Sequence, residues 1–161
     1  MSRIGHRFEQ RRAEQRKTLV TYLTGGDPHP RATVPLMHRL VDAGADVIEV
    51  GMPFSDPMAD GPVIQSACDR ALENGTGLRG VLEMVRDFRR TDNDTPVVLM
   101  GYPHPIAQIG YQAFARAAAA PRVDVVLTVD LPPDEGSDLV AAMLSHSLDP
   151  IGLVAPTTRM E

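Results

Sequence analysis

The stretch 46-DVIEVGMPFSDPMADGP-62 decides the fold of this chain. It begins with an apolar, β-branched run that carries a carboxylate, Glu49, in its middle. Successive side chains of a strand point to opposite faces, so Glu49 shares a face with Val47 and Gly51. Ile48 and Val50 lie on the other face, where covering helices are expected. Because an unpaired buried carboxylate is costly, we expect this strand to place Glu49 at a site that uses it.

Four further apolar runs alternate with segments of helical periodicity. The five expected strands are 18–23, 46–51, 96–101, 124–129 and 150–155. Between and after them, apolar residues recur at three- and four-residue spacing in 31–45, 63–75, 78–90, 110–120 and 137–148. Strands that alternate with helices predict βαβ units around a parallel sheet that is covered on both faces.

An open doubly wound sheet and a closed (β/α)8 TIM barrel both fit this order of elements. The acid inside the second strand favours the barrel, because Glu49 would then point into the lumen near the strand end where barrel active sites are built. A barrel needs about 250 residues, whereas this chain of 161 residues supplies five strands. Its last residues, 158-TRME-161, match the capping box that opens a helix. We therefore expect residues 1–161 to form a single domain, the N-terminal part of an α/β barrel truncated after strand 5.

The composition excludes several classes of protein. A net charge of −5 argues against a nucleic-acid or anionic-membrane surface. One cysteine, Cys68, excludes an internal disulfide framework and fits a reducing compartment. No apolar run approaches the roughly 18 residues of a membrane span, and the polar start lacks the apolar region of a secretory signal. We predict a soluble, cytoplasmic protein that binds neither nucleic acid nor membrane.

Two acids are the candidates for catalysis. Glu49 lies in an apolar strand, and Asp60 lies in the proline- and glycine-rich loop that leaves the same strand end. Carboxylates in such different environments have different pKa values and can divide acid and base roles. The pattern alone leaves a structural alternative for each: a paired acid for Glu49, and an Asp-Gly turn for Asp60.

Other motifs do not carry chemistry. The run 75-GTGLRG-80 fits G-x-G-x-x-G but follows a helix, whereas a nucleotide fingerprint follows a strand, so Gly75 is expected to end that helix. His29 and His104 fall just after strands, but the histidines show no tight ligand spacing and no metal is expected. The lone lysine, Lys17, precedes the first strand, at the end of a barrel opposite to its active site. Schiff-base catalysis is therefore not expected.

The chain resembles the tryptophan synthase alpha chain family along its entire length. The matching stretches are 22-YLTGGDP-28, 42-DAGADVIEVGMPFSDPMADGPVIQSA-67, 99-LMGYPHPI-106, 123-VDVVLTVDLPPDE-135 and 153-LVAPTT-158. The resemblance implies a (β/α)8 lyase of L-tryptophan biosynthesis that cleaves indole-3-glycerol phosphate to indole and glyceraldehyde 3-phosphate. The two catalytic acids of the family fall on Glu49 and Asp60.

The resemblance and the strand parity also assign residues to binding surfaces. The expected indole pocket consists of Tyr22, Met100, Leu127, Val129 and Leu153, with plain barrel core as the alternative for each. Asp56 and His104, the latter in an expected turn 102-YPHP-105, would face the partner. That partner is a beta chain carrying pyridoxal phosphate, in an assembly of two alpha and two beta chains, and no cofactor is implied for this chain.

The family holds the substrate phosphate on later strands. The 161-residue chain alone is therefore expected to have little or no lyase activity. The alternative from another class is a non-catalytic half-barrel that docks on the beta chain and modulates it.

Overall fold

One parallel sheet with helices on its faces makes up the computed structural model, which describes residues 2–132, 135–156 and 158. The strands are β1 (Val20–Thr24), β2 (Val47–Gly51), β3 (Val97–Gly101), β4 (Val125–Thr128) and β5 (Asp149–Gly152). The helices are α1 (Arg3–Ala13), α2 (Pro30–Asp42), α3 (Pro62–Glu73), α4 (Leu78–Phe88), α5 (Pro103–Ile109), α6 (Tyr111–Ala119) and α7 (Ser137–Ser145). The predicted α/β class is confirmed.

The strand order distinguishes the two predicted architectures. The strands lie side by side as β1-β2-β3-β4-β5, and each neighbouring pair is parallel. A doubly wound sheet reverses its order at a switch point, whereas a barrel adds each strand beside the previous one. The described residues thus form five consecutive strands of a (β/α)8 barrel. The capping-box prediction at 158–161 lies outside the described residues except for Thr158.

The strands turn alternate side chains to the helices and to the lumen. Ile48 and Val50 of β2 belong to the main core, together with helix residues such as Phe88 and Phe114. Val47 lies in a second buried cluster, with Val98 and Val125 from the next two strands. Because Glu49 has the parity of Val47, it lies on the lumen side, as the alternation of strand side chains requires.

Two predicted segments differ in the structure. The expected turn at 102–105 is wrong: Tyr102 is the N-cap of α5 and Pro103 its first residue. Proline is favoured at that first position because its missing N–H would have no helical partner there. The last predicted helix ends at Ser145, so His146 is its C-cap residue. Gly75, with a φ of 75°, follows the C-cap of α3, which confirms that it ends a helix.

Candidate active site

Glu49 is a half-buried carboxyl on the lumen face of the sheet. It pairs in register with Tyr22 on β1 and Val98 on β3. No side chain in the described part of the chain donates a hydrogen bond to it, and burial raises its pKa above the ordinary glutamate value. A carboxyl in this setting keeps its proton to higher pH than an exposed one, which suits a group that both donates and accepts a proton.

The glycine that follows Glu49 gives room to Tyr22. A Cβ atom at Gly51 would overlap the Tyr22 hydroxyl and ring, so the ring lies across the glycine backbone. The Tyr22 hydroxyl is hydrogen-bonded to Thr24 Oγ1 at 3.1 Å. The E-V-G run therefore places an acid and, two residues later, the gap that an aromatic ring from the neighbouring strand fills.

Tyr22 connects the two predicted catalytic acids. Burial, together with the nearby Cys68, Asp60 and Glu49, raises the pKa of the Tyr22 hydroxyl to about 12. The two carboxyls thus lie close enough to Tyr22 for both to oppose its ionisation. The structure brings Glu49 and Asp60 to the same end of the sheet, around one neutral tyrosine.

Asp60 is held by a residue that the sequence did not indicate. The Tyr102 hydroxyl donates to Asp60 Oδ2 at 3.1 Å and accepts from the Ala59 N–H at 2.9 Å. Gln65 Nε2 also donates to the Asp60 carbonyl at 2.8 Å. These bonds fix both the backbone and the carboxylate of Asp60. The Asp-Gly turn alternative does not require them.

The other predicted pocket residues follow the lumen face toward its open end. Met100 pairs with Gly51 and Leu127, and it is half-buried. Leu127 packs against the buried lumen cluster. Val129 is buried just beyond β4, where its N–H donates to the Gly101 carbonyl at 2.8 Å. Leu153 lies beyond β5 and is 48% exposed.

Asp56 and His104 line a cavity of about 590 Å³ that is formed largely by the β2–α3 loop and α5. The lining residues include the Phe54 and Tyr102 rings, whose centroids are 5.3 Å apart, and Asp130. Neither Glu49 nor Asp60 lines it. The structure therefore groups the two predicted partner-facing residues together, apart from the two predicted catalytic acids. Tyr102 lines this cavity and also contacts Asp60.

Residues considered for other chemistry have local roles. His29 caps α2, since its Nδ1 accepts from the Arg31 N–H at 3.1 Å. Lys17 precedes β1, at the end of the strands away from Asp60, as predicted. Within the described ranges no cluster of three His, Cys, Asp or Glu side chains is arranged to hold a metal ion. No helix in the same ranges is long and apolar enough to cross a membrane.

Comparison with known proteins gives one family. Residues 8–161 match the sequence profile described as Tryptophan synthase alpha chain. The Tryptophan synthase alpha chain of Thioalkalivibrio sulfidiphilus is 61% identical over 98% of this chain and 59% of its own length. The crystal structure of tryptophan synthase subunit alpha from Legionella pneumophila aligns with a TM-score of 0.95 at 50% identity, over 99% of this chain and 61% of that one.

A chain of the tryptophan synthase α2β2 complex of the hyperthermophile Pyrococcus furiosus aligns with a TM-score of 0.82 at 41% identity, over 88% of this chain and 57% of that one. The chain therefore spans about 60% of the length of the curated relatives that it matches. With a family profile matched over nearly all of its residues and relatives at such identity, the chain belongs to the tryptophan synthase alpha chain family.

Proposed function

We propose that the natural protein is a carbon–carbon lyase that cleaves indole-3-glycerol phosphate to indole and glyceraldehyde 3-phosphate. One observation carries this proposal: a chain of this family has both a half-buried Glu49 on the lumen face and an Asp60 that is held by Tyr102. Asp60 lies in the loop that follows the carboxyl end of β2, and Glu49 lies two residues before that end. The carboxyl ends of the strands are where barrel enzymes hold their substrates.

Glu49 is proposed as the acid and base of the reaction. Cleavage breaks the bond between indole C3 and the adjacent glycerol carbon, while C3 gains a proton and the hydroxyl on that carbon loses one to become the aldehyde. Because one proton enters and one leaves, a single carboxyl can serve both steps in turn. Because burial raises its pKa above the ordinary glutamate value, the protonated form costs less free energy to reach than in an exposed glutamate.

Asp60 is proposed to stabilise the cation that precedes cleavage. Protonation of indole C3 leaves a positive indolenine, whose N–H can donate to a fixed carboxylate. The Tyr102 hydroxyl and the Gln65 amide hold Asp60 in place before substrate arrives, so little reorganisation is needed when the charge develops. Tyr22, Met100, Leu127, Val129 and Leu153 are proposed as the surface that contacts the indole ring.

The partner is proposed to be a tryptophan synthase beta chain, in an assembly of two alpha and two beta chains. The cavity with Asp56 and His104 supplies an outward surface of aromatic, proline and charged residues, beside the loop that carries Asp60. The acid–base chemistry above needs no electron sink, so we propose no cofactor for this chain and place pyridoxal phosphate on the beta chain. We propose a cytoplasmic location, in keeping with the composition.

The test is indole release from indole-3-glycerol phosphate by the purified natural chain, measured with and without the beta chain. We expect release, stimulated by the partner. Binding to the beta chain with no indole release under either condition would contradict the lyase and support a non-catalytic docking module instead. Docking requires neither Glu49 nor the Tyr102–Asp60 hydrogen bond. The Asp60→Asn variant should therefore lose indole release and still bind the beta chain.

A further inference from the structure

The first helix, α1, packs one apolar residue against the lumen face of the sheet. Ile4 packs against the buried cluster of Val47, Val98 and Val125 on the lumen face. Val98 is the residue that pairs with Glu49 in the sheet register, and Val47 is two residues before Glu49 on the same strand. Ile4 is thus one layer of side chains away from the carboxyl that is proposed to move the proton.

Two buried aspartates hold α1 against the sheet. Asp46, directly before β2, accepts from Arg11 Nε at 2.6 Å and from the Leu19 N–H at 2.9 Å. Its side chain is 2% exposed. One α1 arginine is therefore joined, through a single carboxylate, to the start of β1 and to the strand that carries Glu49.

The second aspartate, Asp124, directly before β4, is bound in the same way. It accepts from Arg3 Nη1 at 2.5 Å, from Arg89 Nη2 at 2.8 Å and from the Val97 N–H at 2.8 Å. Since Val97 is the first residue of β3, this carboxylate ties α1 to β3 and β4. The two ion pairs lie on either side of Ile4 along α1, which fixes where Ile4 meets the sheet.

We propose that α1 is the floor of the Glu49 site, and that Ile4 is a positioning residue which excludes water from the lumen face beneath Glu49. The inference rests on the proposed role of Glu49 and deepens it. No residue of α1 is fully buried. Ile4 is the α1 residue that packs against the buried cluster on the lumen face. Removing that contact would let water reach the valine layer beside Glu49.

Water at that layer acts on Glu49 through solvation. Burial is the cause of its raised pKa, and water would favour the ionised form. Two titratable groups share its surroundings: Tyr22, its register partner on β1, and Asp60 on the β2–α3 loop, which with Glu49 acts on the Tyr22 hydroxyl. Asp149 on β5 lies in the same register row. Substitution of Ile4 leaves these three groups in place. We therefore expect the Glu49 pKa to fall through solvation alone when the Ile4 contact is removed.

The experiment measures the Glu49 pKa directly, without substrate, in the natural full-length chain. Infrared titration of the carboxyl band, with the Glu49→Gln variant subtracted, isolates that group. We expect the Glu49 pKa to fall in Ile4→Ala toward the ordinary glutamate value of about 4.3. Ile4→Leu, which refills the space, should keep the raised value, and the pH optimum of indole release should fall in Ile4→Ala alone.

Phe8→Ala is the matched control, since Phe8 lies on the same helix and is 44% exposed. It should leave the Glu49 pKa unchanged. A folded Ile4→Ala chain with an unchanged Glu49 pKa overturns the proposal, and so does an equal fall in Phe8→Ala. If Ile4→Ala does not fold, Ile4→Val is used: a smaller fall supports the floor, and no fall overturns it. Because no turnover is needed, a chain without lyase activity would refute the proposed function and still test the floor.

Discussion

Replacing Tyr102 by phenylalanine should weaken catalysis by a calculable amount. The hydroxyl donates to the Asp60 carboxylate at 3.1 Å and accepts from the Ala59 N–H at 2.9 Å. A hydrogen bond to a charged group contributes about 1.5–3 kcal/mol. If that contribution is realised at the transition state, kcat/KM falls roughly tenfold to 150-fold. The ring remains against Phe54, at a centroid distance of 5.3 Å, so the loop should keep its packing.

The assay is steady-state indole release by the natural chain with the proposed beta-chain partner. Tyr111→Phe is the control, because the Tyr111 hydroxyl has no hydrogen bond to any residue that the structure describes. We expect Tyr102→Phe to lower kcat more than it raises KM, since Asp60 is proposed to act on the charge that develops during cleavage. A folded Tyr102→Phe enzyme with kcat/KM within about twofold of the Tyr111→Phe control would refute the reasoning.

Two further predictions concern the strand that carries Glu49. Gly51→Ala places a methyl group where the Tyr22 ring lies. We therefore expect the free energy of unfolding, measured by chemical denaturation, to fall by about 1–3 kcal/mol and substrate binding to weaken. Unchanged values would show that the Tyr22 ring does not lie against Gly51. Burial raises the pKa of Asp46, but the Leu19 N–H, Arg11 and Arg7 outweigh it, and the net pKa lies below the usual value. That stabilisation is therefore complete above the ordinary aspartate pKa of about 3.9 and is lost as pH falls through the lower folded-state pKa. Asp46→Asn should lower the unfolding free energy at neutral pH by about 1.5–3 kcal/mol and flatten its acid dependence, and a parallel acid dependence in both proteins would contradict the assignment.

Strand positions and faces could be predicted from the sequence because they depend on local patterns. In the run 46–51, side chains alternate between the two faces of a strand, with Glu49 on one face. The structure has β2 inside this run, and Ile48 and Val50 pack against the helices. Glu49, an acid inside an apolar strand, was the feature of the sequence that favoured a barrel over a doubly wound sheet. The consecutive strand order confirms the barrel. The helix at 103–109 was missed because two prolines in 102-YPHP-105 are typical of a turn, although the first position of a helix also accepts proline.

The two candidate acids could be named from the sequence, whereas the residues that contact them could not. Glu49 and Asp60 lie in one short, specific motif, whereas Tyr102 binds Asp60 from 42 residues away in sequence. The partners of the α1 arginines are equally distant: Arg3 and Asp124 are 121 residues apart. An arginine-rich, polar segment does not reveal which buried aspartates it will meet. Such pairings follow from the parallel arrangement of the strands, which places their N-terminal ends at one edge of the sheet.

The role of Glu49 is tested most directly by one variant of the natural chain, Glu49→Gln. Glutamine keeps the size and polarity of the side chain but can neither deliver nor remove a proton at neutral pH. The account predicts that indole-3-glycerol phosphate still binds, by equilibrium dialysis, and that indole release is lost. Indole release at a rate close to that of the unsubstituted chain would contradict it.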